Sequence, residues 1–483
     1  MTEPIFYSYT PEVPHSFYNK LLDFIHTQYV LPQKHRFVDV SRETTSQGEF
    51  LSYVINDMRK KRSIQVEVKS GNPFELKVTP IDPSVTQSTL DEAKQDVLIA
   101  MQIFSQNAKN STVSFAWREG EEIVPEAYMK AKKSFNHFLF EVQLIFFAVF
   151  IFLGMTVFLT IATVSPDIFW IAPLILIAFQ FGFFFFSNHF IEKSADWQIT
   201  QANPTIHLLE YFLPDCESDF NKKYSREKLT TIKKEIYKEI IAKQGQVDTE
   251  AAGKIFLKHG VPCELENLKV KKVNVYELVK KVADKFGFPV PKIVVSNTMV
   301  ANAATSGSSP KRGLVLITTG LLAQLQENEI LSVLGHEFGH LKGRDPLILY
   351  ALVSSEFLFR FYVLFPLLPL IFSSFLFFAY FWSVMVLIFF IAKFFEARAD
   401  LVSAMLVGNP HVLARSLEKI GYQRLLSERA PSYRVQEWIG LDPHPPIYFR
   451  VNRLEQLTSE KIKHPLLRSI RDVTNAFIAT LKS

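Results

Sequence analysis

Two histidines stand four residues apart in the stretch GHEFGH, His336 and His340, and Glu337 follows the first directly. On a helix, side chains at i and i+4 lie one above the other. Both imidazoles can therefore point at one metal ion. Glu337 sits about 100° round the helix, within reach of a water beside the ion rather than the ion itself. Two neutral imidazoles suit zinc, and an adjacent carboxylate suits a general base, so the spacing predicts metal-assisted hydrolysis. A zinc ion in such a site takes a third protein ligand and keeps one position open. Pro346 excludes the longer motif that would place a third histidine there. Glu356 lies sixteen residues past His340 but has Arg360 one turn on, inside an apolar run, where the two would pair. Glu396, in KFFEARAD, is the better candidate, and Asp400 shares its helix face. Asp400 could accept the spare N–H of a zinc-bound histidine.

The elements around these residues must bring Glu396 back to the histidines. Residues 327–342 read as a helix with Ile330, Leu334, Phe338 and Leu341 on one stripe. Before it, KIVVSN, VANAATSG and GLVLITTGLL read as three strands of a small sheet. The edge around 300–304 could receive an extended peptide by strand addition. After it, residues 347–395 are almost unbroken apolar sequence with three charges, Glu356, Arg360 and Lys393. That length suits two membrane passes with a break near Pro366, Pro369 or Ser373–Ser374. Such a hairpin returns the chain to the side it left, which is how Glu396 can meet the histidines.

Residues 142–166 and 168–188 carry no charge, and Asp167 stands between them, so a first hairpin is expected there. Lys130, Lys132, Lys133, Lys193, Lys342, Arg344, Lys393 and Arg398 flank the two hairpins, while their tips have no Lys or Arg. The positive-inside rule places every soluble segment, and the active site, in the cytoplasm.

The remainder is soluble in character. Residues 1–135 read as a small α/β domain, with SIQVEVK and FELKVTPI as a hairpin around the turn SGNP. Residues 191–270 form a largely helical insert that includes an amphipathic helix from Ser225 to Gly245. Cys216 and Cys263 are far apart, and neither belongs to a CxxC pair. A disulfide framework or cysteine zinc site is not readable. A net charge of +5 over 483 residues argues against nucleic acid as a partner. The N-terminus lacks the basic and apolar regions of a cleaved signal.

The combination of HEFGHLKGRD, FEARAD, Asn302-Ala303-Ala304 and HPPIYFR (His444 to Arg450) resembles the membrane zinc metalloproteases of the HtpX and CaaX-prenyl-protease group. The resemblance covers roughly residues 270–455 and the first hairpin. It implies one zinc per chain on His336, His340 and Glu396, with Glu337 as catalytic base. It also implies that His444 and Arg450 line the cleft, where they could stabilise an oxyanion, and that Asp345 matches an aspartate found just after the zinc helix.

The expected fold is thus an α+β membrane protein. It has a mostly helical zincin-like protease domain with a small β-sheet, two transmembrane hairpins (four crossings) and the N-terminal α/β domain. The expected segments are 1–135, 136–190, 191–270, 271–346, 347–395 and 396–483. Four crossings resemble HtpX rather than the seven-helix CaaX protease, whereas HtpX-like proteins typically begin at their first membrane helix and here some 135 residues come first. The expected function is therefore a membrane-anchored zinc endopeptidase acting on membrane or misfolded proteins. The alternatives are a processing protease for one defined substrate, such as a prenylated one, and a non-catalytic zinc-bearing scaffold. An intact Glu337 weighs against the scaffold, because a structural zinc site needs no base.

Overall fold

The computed structural model describes residues 3–45, 48–57, 62–120, 160, 163, 169–213, 224–368, 375–428, 430–457 and 462–482. The chain forms two compact units that are not contiguous in sequence. The first comprises residues 1–119 and 207–272, the second residues 120–206 and 273–483.

The first unit opens with β1 (Ile5–Tyr9), α1 (Tyr18–Phe24), β2 (Phe37–Thr45), β3 (Gly48–Asp57), β4 (Arg62–Lys69) and β5 (Phe74–Pro80), followed by α2 (Gln87–Asn110) and β6 (Thr112–Arg118). Strands β1 to β5 make an antiparallel sheet in the order β1-β5-β4-β3-β2. Alternation in β4 sends Ile64, Val66 and Val68 inward. On α2, Leu90, Ala93, Val97, Ala100, Met101 and Phe104 recur at helical spacing and fill the core with them. After α3 (Ala172–Ser194) and β7 (Trp197–Ile199), which belong to the second unit, come β8 (Thr205–Phe212), α4 (Arg226–Ile236), α5 (Thr249–Lys258) and β9 (Leu268–Asn274). Ser225 caps α4 by accepting the Lys228 N–H, and the helical run that follows ends on Gly245 at φ 70°. Strand β8 is buried throughout and lies between β6 and β9.

The second unit continues with α6 (Val275–Phe286), β10 (Lys292–Ser296), β11 (Ala303–Ser306), β12 (Leu314–Thr318) and α7 (Thr319–Gln324). Helix α8 (Glu327–Gly343) is followed by α9 (Asp345–Phe359) and α10 (Leu376–Leu406). Then come α11 (Pro410–Ile420), α12 (Tyr422–Ser427), α13 (Pro431–Ile439), α14 (Ile447–Glu455) and α15 (Pro465–Lys482). The sheet order is β11-β12-β10-β7, which leaves β11 at an edge. Only β10 and β12 run parallel.

A capping box of Gln326 and Glu329 starts α8, whose stripe Ile330, Leu334, Phe338 and Leu341 is buried. Arg344, at φ 56°, breaks the helix, and Pro346 restarts the chain as α9. Among the described residues, two helical stretches are long and apolar enough to cross a membrane, Asp345–Leu367 and Leu376–Leu406. Their apolar windows face almost wholly outward, which in water would be costly and in lipid is not. Of the expected break positions, Pro366 falls within the first stretch, while Pro369 and Ser373–Ser374 lie outside the described residues. Helix α3 lies beside α9, where the Tyr350 hydroxyl donates to the Ile177 carbonyl at 2.7 Å. Most of the expected first pass, residues 142–166, lies outside the described residues. Glu356 and Arg360 pair at 2.9 Å on α9, and the Tyr380 hydroxyl of α10 donates to Glu356 at 3.0 Å. Glu356 and Arg360 are thus neutralised within the helix pair.

Candidate metal centre

Helix α8 can lie close to α10 because glycine precedes each histidine. A Cβ on Gly339 would come within 3.0 Å of the Ala399 Cα, and one on Gly335 within 2.6 Å of the Ser403 hydroxyl. The absence of side chains at 335 and 339 therefore lets the two backbones approach, with Ala399 and Ser403 facing them from α10. That approach carries Glu396 to the histidines.

The three donors converge. The two Nε2 atoms of His336 and His340 are 3.1 Å apart. Glu396 Oε2 lies 3.3 Å from His336 Nε2, and Oε1 lies 3.3 Å from His340 Nε2. Donors bonded at about 2 Å to a tetrahedral zinc stand roughly 3.3 Å from one another, and the two imidazole nitrogens and the two Glu396 oxygens approach one another at about that spacing. Glu396 Oε2 is buried and makes no hydrogen bond of its own. The residues fit a zinc ion on chemistry as well as on distance, with two imidazoles and one carboxylate.

Each imidazole is held from behind by an aspartate, and each aspartate by an arginine. His336 Nδ1 is 2.8 Å from Asp400 Oδ1, and Arg450 donates to Asp400 through Nε at 2.9 Å and Nη2 at 2.8 Å. His340 Nδ1 is 2.8 Å from Asp345 Oδ2, to which Arg398 donates at 2.6 Å. A carboxylate only accepts, so Nδ1 carries the proton in both rings and Nε2 is turned towards the common centre. The Arg344 break explains how Asp345, five residues past His340, returns to it.

The electrostatics call for a cation. Burial pulls the His336 pKa down, but Asp400 and Glu396 beside it outweigh that and push it up to about 10. His340 is likewise raised: burial opposes the shift, while Glu396 and Asp345 drive it. Both shifts favour positive charge at this centre, and a divalent ion would answer the same carboxylates.

Glu337 is half-buried on the side of α8 that meets β11, where Thr305 touches it. Ala303 and Ala304 lie on the edge strand, and Asn302 just before it receives the Thr318 hydroxyl on its main-chain carbonyl at 3.0 Å. His444 points its Nε2 at Glu396 Oε2 from 3.6 Å. Asp442 accepts both the main-chain N–H of His444 and its Nδ1 at 2.8 Å. Burial would raise the Asp442 carboxyl, but the His444 contact holds it well below the usual range. Lys393 donates to the Asp442 carbonyl, and Glu428 accepts the Ile447 and Tyr448 N–H groups at 2.8 Å, so this loop is pinned at both ends. Arg450 differs from the expected cleft position: it is buried and spends two donors on Asp400. Burial tends to lower its pKa and Asp400 more than reverses this, so Arg450 remains charged.

Several contributors carry no motif of their own. Gly335 and Gly339 were legible as small residues four apart beside the two histidines. Thr305, Asp442 and Arg398 were not, because each reaches the site through tertiary packing.

Residues 269–458 match the model of Peptidase family M48. A protein named Protease HtpX homolog from Methanopyrus kandleri is 35% identical over 218 residues, 38% of this chain and 67% of that protein. Another of the same name from Thermodesulfovibrio yellowstonii is 41% identical over 73 residues, 15% of this chain and 26% of that protein, so the chain spans only about a quarter of that relative. The crystal structure of S. mikatae Ste24p aligns at 17% identity and TM-score 0.29 over 37% of this chain and 49% of that one, a likeness too distant to carry an argument. On the strength of the longer match and the family model, the chain belongs to peptidase family M48, with the HtpX homologues.

Proposed function

We propose that the chain is a membrane-anchored, zinc-dependent endopeptidase that hydrolyses membrane or misfolded proteins at the cytoplasmic face. The triangle of His336, His340 and Glu396 carries this reading, at separations of 3.1 and 3.3 Å. Its placement where the apolar helices α9 and α10 meet the soluble part supports the membrane setting. Four crossings and a cytoplasmic site rest on the Lys and Arg that flank the apolar stretches.

One zinc per chain would be held by His336, His340 and Glu396. When bound, it supplies Lewis acidity that polarises a peptide carbonyl and acidifies water at the site. Glu337 takes the proton of the attacking water and hands it to the leaving amine. Thr305 holds the Glu337 carboxylate from the substrate side. Asp400 and Asp345 fix the imidazoles, with Arg450 behind Asp400 and Arg398 behind Asp345. His444, with Asp442 on its Nδ1, presents Nε2 to the developing oxyanion. An extended substrate pairs with the edge strand at Asn302, Ala303 and Ala304.

The test is metal content and cleavage of an unfolded protein by the detergent-purified chain. Glu337→Gln keeps stoichiometric zinc and loses cleavage, while a chelator abolishes wild-type cleavage. Undiminished cleavage by Glu337→Gln would remove that residue from the role of base.

A further inference from the structure

The last helix of the sequence, α15, lies beyond the stretch that matches the family model, which ends at residue 458. One face of it is packed. Ser469, Val473 and Thr480 are buried, the Phe477 ring sits 5.2 Å from Phe390 of α10, and Thr480 accepts from Trp438 Nε1 at 3.1 Å. A second, adjacent face is apolar yet open. Leu467, Ile470, Ile478 and Leu481 fall at i, i+3, i+11 and i+14, which is one stripe of a helix, and Leu467 and Leu481 are 65% and 56% exposed. Arg471, 72% exposed in its side chain, and Lys482 flank that stripe, with Arg468 further round. An apolar arc wider than the protein covers is the pattern of a helix that meets a further apolar phase.

The register against α10 says what covers the open face. Asp472 accepts from Arg453, whose Nη1 donates to the Ala397 carbonyl, whereas Phe477 meets Phe390. Helix α15 therefore runs antiparallel to α10, away from the metal centre and along the candidate membrane span. At roughly 1.5 Å per residue, Leu481 lies about one turn beyond Phe477. That brings it to the level of Leu387, itself 58% exposed on α10. The open stripe of α15 is thus continuous with the outward apolar surface of α10.

We infer that the exposed face of α15 is a lipid-docking surface, with Ile478 and Leu481 in the hydrocarbon and Arg471, nearer the metal centre, placed to meet anionic headgroups. The inference rests on the membrane-anchored reading of α10.

The test uses the unmodified full chain in vesicles of equimolar phosphatidylcholine and phosphatidylglycerol. A lipid-soluble carbene precursor is photolysed and its adducts are mapped by mass spectrometry, with a water-soluble carbene reagent run in parallel. The expected result is lipid-phase labelling of Ile478 and Leu481 comparable with that of Leu387, and several-fold above that of Asn475 on the polar strip. Lipid-phase labelling of Leu387 but not of α15 would overturn the inference and leave the membrane reading standing. Aqueous labelling of Ile478 would then mean a solvated face, and labelling by neither reagent a face covered by a second copy. Absence of lipid-phase labelling at Leu387 as well would overturn both readings.

Discussion

The Thr305 hydroxyl stands 3.1 Å from the main-chain carbonyl of Glu337 and 3.2 Å from its carboxylate Oε2. The same β11 segment carries Ala303 and Ala304 on the open edge of the sheet. One strand therefore borders the proposed substrate path and touches the proposed base.

The first prediction follows from that contact. Thr305→Val keeps the shape of the side chain and removes the hydroxyl. A hydrogen bond to a charged group is worth about 1.5–3 kcal/mol, and each 1.4 kcal/mol is tenfold, so kcat should fall about tenfold or more. Zinc content should not change, and Thr305→Ser should restore most of the rate. Steady-state kinetics with parallel metal analysis checks this; unchanged kcat in the valine variant would show that Glu337 needs no such support.

The second concerns the glycine in front of His336. In Gly335→Ala the new methyl would lie 2.4 Å from Val407 Cγ2 and 2.6 Å from the Ser403 hydroxyl, which is itself bonded to the Ser332 carbonyl at 2.7 Å. Alanine gains about 1 kcal/mol of helix propensity, but overpacking costs roughly 1–3 kcal/mol, so the clash should win. The helices must part, and Glu396 moves with α10. Thermal unfolding in detergent should show a lowered midpoint and zinc affinity should drop. In Gly182→Ala, by contrast, the added carbon meets nothing within 4 Å, so zinc affinity should be unchanged and the midpoint should not fall.

The third is a pH dependence away from the metal. Burial, helped by the Glu264 carboxylate, pushes the Cys263 thiol up to about 11. A raised thiol pKa means that the reactive thiolate is scarce at neutral pH and grows with pH up to that value. Alkylation of Cys263 by iodoacetamide, followed peptide by peptide, should rise about tenfold per pH unit from 7 to 10. A plateau below pH 9 would show an ordinary, solvated thiol.

What the sequence disclosed about the site follows from how local each signal is. His336, Glu337 and His340 sit on one helix, so spacing alone aligns them. Glu396 could be chosen because an apolar stretch of two membrane lengths must bring the chain back to where it left. The caps at Ser225 and Gly245 are likewise local, and the structure has helix ends at both. Arg450 reads from its motif as a cleft residue, yet its guanidinium lies closer to Asp400 than any periodicity could reveal. Thr305 meets Glu337 across 32 residues of sequence through the pairing of β11 with β12 and the packing of α8 against that strand. Nonlocal pairing also lies behind the interleaved units: β6 and β8 are neighbours in one sheet although nearly ninety residues separate them.

That interleaving sets an order for biosynthesis. Strand β6 leaves the ribosome well before β8, and the apolar stretch from 142 to 188 emerges between them. The three-stranded sheet cannot close, and Phe17 cannot meet Phe212 at 5.9 Å between ring centres, until that stretch has been synthesised. The first unit of this protease is therefore completed only after the whole of that apolar stretch has left the ribosome, and a nascent chain arrested before β8 would carry an open sheet edge in search of a strand.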